Sequence, residues 1–212
     1  RIWSGFGRCL IDSYTGNYFM PQNIENPIQT QEYELDRKAT ALKRDGDLDG
    51  AIKALYQRKA ILGIGYMDTK LAKYLQAAGR FEEAMTEIQW MLNNSHEWAL
   101  TFFGHHPSSV ILEQRTSWRI RIHKDAELIC KRAKNQKLQL EHEQQRQVLL
   151  PILEKLRTVT KADEFSEIEE FEKVKILKGK QLTQFLHKCQ EKTNKNKIRS
   201  NAELERLRRS KS

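Results

Sequence analysis

The sequence predicts an all-α protein, and three observations carry that prediction. Apolar residues recur three and four positions apart over most of the chain, the spacing that lines one face of an α-helix. Aromatic residues make up 8% of the chain against 31% charged, a balance that suits helices with one buried stripe rather than thick sheets. A block of roughly thirty residues also occurs twice, each copy a stripe, a glycine and a second stripe.

The chain opens differently. Trp3, Phe6, Tyr14, Tyr18 and Phe19 are interleaved with the turn formers Thr15-Gly16-Asn17 and with Pro21 and Pro27, so residues 1–33 are predicted to form an extended arm or a short hairpin. Its aromatics are expected to dock on the helical body, because isolated aromatic surface is costly to keep in water. A detached arm would instead offer a partner-binding strand.

Helical periodicity takes over from Glu34 to Ser95. Leu35, Ala39 and Leu42 form one stripe, Gly46-Asp47 interrupts it, and Ala51, Ile52, Leu55 and Tyr56 resume it. Leu71, Ala72 and Leu75, the break at Gly79-Arg80, and Ala84, Ile88 and Met91 repeat the pattern. Aligned on the two glycines, which stand 33 residues apart, Lys43–Ile52 matches Gln76–Met85. Small Ala39 and Ala72 admit a close partner helix, the glycines release the turn, and Ala51 and Ala84 let the second helix return closely.

This pattern resembles the tetratricopeptide repeat family, with two repeats at about 34–95. The resemblance implies helical hairpins stacked in a short superhelix, and two repeats are too few to bury their own faces, so neighbouring helices must complete the core. The sequence departs from the family pattern at Arg58, where a small residue is usual.

Downstream of a Trp98–Pro107 connection, Trp118, Ile122, Ala126, Ile129, Cys130 and Ala133 trace a long helix that reads as a degenerate third unit, which extends the repeat-like domain over 34–135. A C-terminal helical extension is expected over 136–190. In it, Leu138, His142, Gln145, Leu149, Ile152 and Leu156 follow heptad-like spacing, and Pro151 is expected to kink the helix. A short helix at Phe165–Val174 behind a Ser166–Glu169 capping pattern and another at Leu182–Cys189 follow. Residues 191–212 carry eight basic and three acidic side chains and read as a flexible tail.

Charge divides the chain. Residues 1–99 hold 12 Lys/Arg and 13 Asp/Glu, whereas residues 100–212 hold 25 and 15, so the formal +9 belongs to the second half. A positive field attracts acidic protein, nucleic acid or anionic lipid alike. The candidate basic surface is Arg115, Arg119, Arg121, Lys124, Lys131 and Arg132. It lacks the interleaved aromatics of single-strand binders and any recognition-helix or zinc-finger pattern.

The family resemblance implies a second surface, a groove along the first helix of each pair. Carried over position by position, its lining is Tyr33, Asp36, Thr40 and Lys43 in the first repeat, and Tyr66, Thr69, Lys73 and Gln76 in the second. Lys43 and Lys73 would be the charged anchors for a partner's carboxylate.

Catalytic and cofactor patterns are missing from the sequence. His105-His106 is adjacent rather than at ligand spacing, His142 has no histidine four residues away, and no cysteine has a near neighbour for zinc. Gly63-Ile64-Gly65 runs on to Asp68 where a dinucleotide loop needs glycine, no Walker lysine follows a glycine run, and there is no nucleophile elbow. The expectation is a non-enzymatic protein with neither metal nor cofactor. Three widely spaced cysteines, Cys9, Cys130 and Cys189, favour a reducing compartment such as the cytoplasm, and no apolar run is long enough to span a bilayer. The function expected is an adaptor or scaffold that binds a partner protein segment in the groove. Nucleic-acid association through the basic half, and an immunity-type or inhibitor protein of a toxin or enzyme, are the alternatives.

Overall fold

The computed structural model describes residues 27–174 and 180–210, with side chains over 31–163 and 181–210. The fold is all-α, with seven α-helices and no strand among the described residues: α1 (Pro27–Arg44), α2 (Leu48–Leu62), α3 (Lys70–Ala77), α4 (Phe81–Phe103), α5 (Ser108–Arg132), α6 (Gln136–Val174) and α7 (Lys180–Arg209). A short 3-10 turn, Gly63–Gly65, links α2 to the segment that enters α3.

Three helical hairpins form the body, and the same turn closes each of them. Gly46 and Gly79 stand at φ 86° and 78°, in the left-handed region that glycine enters without steric cost. The amide of Gly46 donates to the Lys43 carbonyl and that of Asp47 to Leu42, while the amides of Gly79 and Arg80 repeat the pattern onto Gln76 and Leu75. The third hairpin places Lys134 there, at φ 57°, with Lys134 donating to Lys131 and Asn135 to Cys130. Each turn thus satisfies the last carbonyls of the incoming helix in the Schellman manner.

From α1 to α6 consecutive helices are neighbours, and α3 also touches α5. The core follows from the alanines: Ala39, Ala51, Ala72 and Ala84 are all fully buried, and around these close crossings pack Leu55, Leu71, Leu75, Ile88 and Met91. The third hairpin adds Ile122, Ala126 and Ile129, which are equally buried. Trp98 and Trp118 meet edge to face at 5.3 Å and tie α4 to α5.

Three boundaries differ from the expectation. Helix α1 begins at Pro27, inside the stretch expected as arm, because proline suits a first helical turn that has no use for its missing N–H. The rest of the arm, residues 1–26, lies outside the described residues. Helix α4 runs to Phe103 through the expected connection, held by buried Trp98, Ala99 and Leu100. Helix α6 continues through Pro151 to Val174, taking in the helix expected separately at 165–174. Pro151 and Gln147, whose carbonyl loses its helical donor, are both exposed, so water can supply the missing bond. The division expected at 135/136 falls in the turn of the α5–α6 hairpin.

The stretch expected as a flexible tail is the second half of α7, which rests on α4. Ser200 is buried and its hydroxyl donates to the Gly104 carbonyl at 2.9 Å, Leu204 is 9% exposed, and His96 Nε2 lies 2.6 Å from Glu203 Oε1. Few apolar residues are needed for this seat, which is why composition alone suggested disorder. Among the described residues no helix is long and apolar enough to cross a membrane.

Candidate binding surface

The eight residues expected to line the groove fall into two groups. Asp36, Thr40, Thr69 and Lys73 are engaged in ties between helices. Asp36 of α1 accepts from Lys70 at 2.9 Å and from Arg58 at 3.1 Å, and the Thr40 hydroxyl accepts from Lys70 at 2.9 Å. Thr69, at the start of α3, donates to Asp125 of α5 at 2.5 Å, and Lys73 pairs with the same carboxylate at 2.8 Å. The first helices of the three hairpins are therefore laced together by alternating charge, α1 to α3 through Asp36–Lys70 and α3 to α5 through Lys73–Asp125.

Tyr66 is a core residue. It is 1% exposed, its ring lies 5.7 Å below the Arg58 guanidinium, and burial holds its phenol far above the ordinary range. The accessible members are Tyr33, Lys43 and Gln76. Tyr33 is 61% exposed with Arg37 5.8 Å from its ring, Gln76 is half-exposed, and Lys43 is exposed with Nζ 4.5 Å above the ring of buried Tyr74. Among the described residues Lys43 has no carboxylate partner and is seated on an aromatic face that orients it.

Arg58, Lys70 and Asp125 were absent from the expected set. Arg58 bridges Glu32, Asp36 and Asp68 and so joins α1, α2 and the segment before α3. Its hydrogen bonds to Glu32 and Asp68 raise its affinity for the proton against the opposing effect of burial. Its signal in the sequence was the large basic residue where a small one is usual. Asp125 lies 56 residues from Thr69 and had no local signal.

The six residues of the expected basic surface divide around α5. Arg121, Lys124, Lys131 and Arg132 are exposed, with Arg121 stacked 5.1 Å from the Trp118 ring. Arg115 and Arg119 are half-buried, and Arg119 reaches toward the Leu92 carbonyl of α4 at 3.5 Å. At about 100° per residue the two sets lie on opposite sides of the helix.

The α5–α6 hairpin also holds a pair that the sequence did not suggest. His123 Nδ1 stands 2.9 Å from His142 Nδ1, so one ring donates and the other accepts. His123 is 3% exposed, and burial, then His142 and Arg119, press its pKa down to about 4. Cys130 is fully buried beside Met85, and burial raises its thiol above the ordinary value, which leaves it unreactive. Among the described residues no group of three or more metal-ligating side chains is gathered.

No protein-family model, no curated protein and no solved structure matches the chain.

Proposed function

We propose that this chain is a binding module of tetratricopeptide type that receives a segment of a partner protein along the face shared by α1, α3 and α5. The observation that carries the reading is the charge lacing of those three helices by Asp36–Lys70 and Lys73–Asp125. A face whose own charges hold one another in place is preorganised, so a partner segment loses little binding energy to ordering it. The thrice-used hairpin turn supports the same reading, since it sets the helix pairs in a common form.

Lys43 is the anchor in this reading, and Tyr33 and Gln76 flank it. Lys73 has a different role from the one the resemblance implies: it holds α5 against α3 and reaches a partner only by giving up Asp125. Anchoring by Lys43 suits a carboxylate, because a charge-assisted hydrogen bond is about twice as strong as a neutral one.

The test is capture of a co-purifying protein by the full chain and by Lys43→Glu. The substitution touches no ion pair among the described residues but removes the cation over the Tyr74 ring in the last turn of α1, so helicity is expected to stay and melting to fall by no more than a few degrees, while capture falls by an order of magnitude or more. Undiminished capture by a folded Lys43→Glu chain removes Lys43 as the anchor.

A further inference from the structure

The cations of this protein follow a rule with two exceptions. Among the described residues eight lysines and arginines are half-buried, and six of them have a carboxylate: Arg58 with Glu32, Asp36 and Asp68, Lys59 with Glu87, Lys70 with Asp36, Lys73 with Asp125, Arg80 with Glu83, and Arg146 with Glu127. The physical reason is general, since a charge drawn out of water is costly unless it is paired and hydrogen-bonded. Arg115 and Arg119 break the rule. Among the described residues neither forms an ion pair, Arg115 Nε is sealed from solvent with no hydrogen-bond partner, and Arg119 has the Leu92 carbonyl alone at 3.5 Å.

These two lie one turn apart on α5, on the side turned toward α4, and they feel each other: burial first, and Arg115 next, draw the Arg119 guanidinium below its ordinary pKa. Two adjacent positive forks, partly desolvated and without a counter-charge, form an arrangement that is unfavourable when empty. It becomes favourable when an anion sits between them.

We infer that Arg115 and Arg119 form an oxyanion site for the terminal phosphate of a phosphorylated ligand. Charge and geometry select that class. A phosphate monoester carries close to two negative charges at neutral pH, matching two guanidiniums, whereas a single carboxylate leaves one of them uncompensated. Planar guanidinium forks pair with phosphate oxygens bidentately, which a lysine pair would not do. The half-buried position admits a small terminal group more readily than a backbone phosphate, which has one charge and two ester arms to accommodate. The site is independent of the α1–α3–α5 face, because it uses the α4 side of α5 and neither Lys43 nor Asp125.

The experiment is thermal unfolding of the full chain at constant ionic strength in inorganic phosphate, O-phosphoserine, dimethyl phosphate, acetate or chloride. Phosphate or phosphoserine at roughly ten times the dissociation constant is expected to raise Tm by about 3–5 °C over chloride, with dimethyl phosphate and acetate near the chloride value. Arg115→Met with Arg119→Met replaces both forks by apolar side chains, so it is expected to fold at least as well as the parent and to lose the phosphate response. Arg119→Lys keeps the charge and loses the fork, and is expected to weaken phosphate binding at least ten-fold in calorimetry. Arg121→Met with Lys124→Met, on the opposite side of α5, is expected to respond as the parent does. A phosphate response that survives in the double methionine variant overturns the assignment. So does a parent chain that responds no more to phosphate than to chloride or dimethyl phosphate.

Discussion

Lys73 Nζ stands 2.8 Å from Asp125 Oδ2, and the buried Thr69 hydroxyl donates to that same oxygen. One carboxylate of α5 thus satisfies a charge and a hydroxyl at the start of α3. Asp125→Ala is expected to lower stability by about 1–3 kcal/mol, mostly because Thr69 is left buried without an acceptor rather than through the ion pair, whose lysine is partly exposed. Adding Thr69→Val is expected to restore about half of the loss in urea unfolding. Simple additivity of the two changes would show that the hydroxyl is not the costly group.

The turn at Lys134 predicts a substitution in the stabilising direction. A lysine at φ 57° bears a Cβ penalty that glycine at Gly46 and Gly79 avoids. Lys134→Gly is expected to stabilise the chain by roughly 0.5–1 kcal/mol, and Lys134→Val to destabilise it by a similar amount or more. Thermal melts of the two variants decide the matter, and equal melting temperatures would mean that Lys134 is not held in the left-handed region.

This turn also shows how far the sequence could be read. The first two hairpins were legible because glycine marks the left-handed position and alanines mark the close helix crossings. The third hairpin was half legible: its Trp118–Ala133 stripe and the helix from Leu138 both stood out, but a lysine in place of the turn glycine hid that the two form one hairpin. For the eight residues expected to line a groove, the sequence did not tell which are exposed, which tie helices together and which, like Tyr66, lie in the core. Which lysine is engaged depends on Asp125, and contacts between residues so far apart in the chain leave no local pattern. The seat of α7 rests on Ser200 and Leu204, too few residues to register in a composition dominated by charge.

The His123–His142 contact makes stability depend on pH. His123 is held neutral, with a folded pKa of about 4 against an ordinary 6.5, by burial, by His142 and by Arg119, and burial also lowers His142 against the opposing pull of Glu141 and Glu127. A depressed histidine pKa means that the unfolded chain binds the proton more readily. Its contribution is therefore complete above about pH 6.5 and is lost as pH falls toward 4. The loss is expected to reach about 3 kcal/mol, read from urea midpoints between pH 7 and pH 4. His123→Leu is expected to flatten that slope, and an unchanged slope in the variant would place the acid sensitivity elsewhere.

Gly104 controls the seat of α7. Its backbone is ordinary, with φ of −61°, but a Cβ there would stand 2.4 Å from the Leu100 carbonyl oxygen and 2.9 Å from Ser200 Cβ. Gly104→Ala is expected to push α7 off α4 and leave the three hairpins folded. Amide exchange over 196–208 should then accelerate at least ten-fold while α1–α5 stay protected. Protected α7 amides in a folded Gly104→Ala chain would mean that the Ser200 contact does not hold the helix.

We propose that the α1–α3–α5 face, and not another surface, receives a partner protein. Photo-crosslinking addresses it most directly, with a photoreactive side chain placed at Lys43 on α1 in one chain and at exposed Lys53 on α2 in another. A discrete adduct is expected from position 43, lost when Tyr33 and Gln76, the other accessible residues of the face, are replaced by glutamates, and none is expected from position 53. Equal adducts from both positions, or an adduct from position 53 alone, would contradict it.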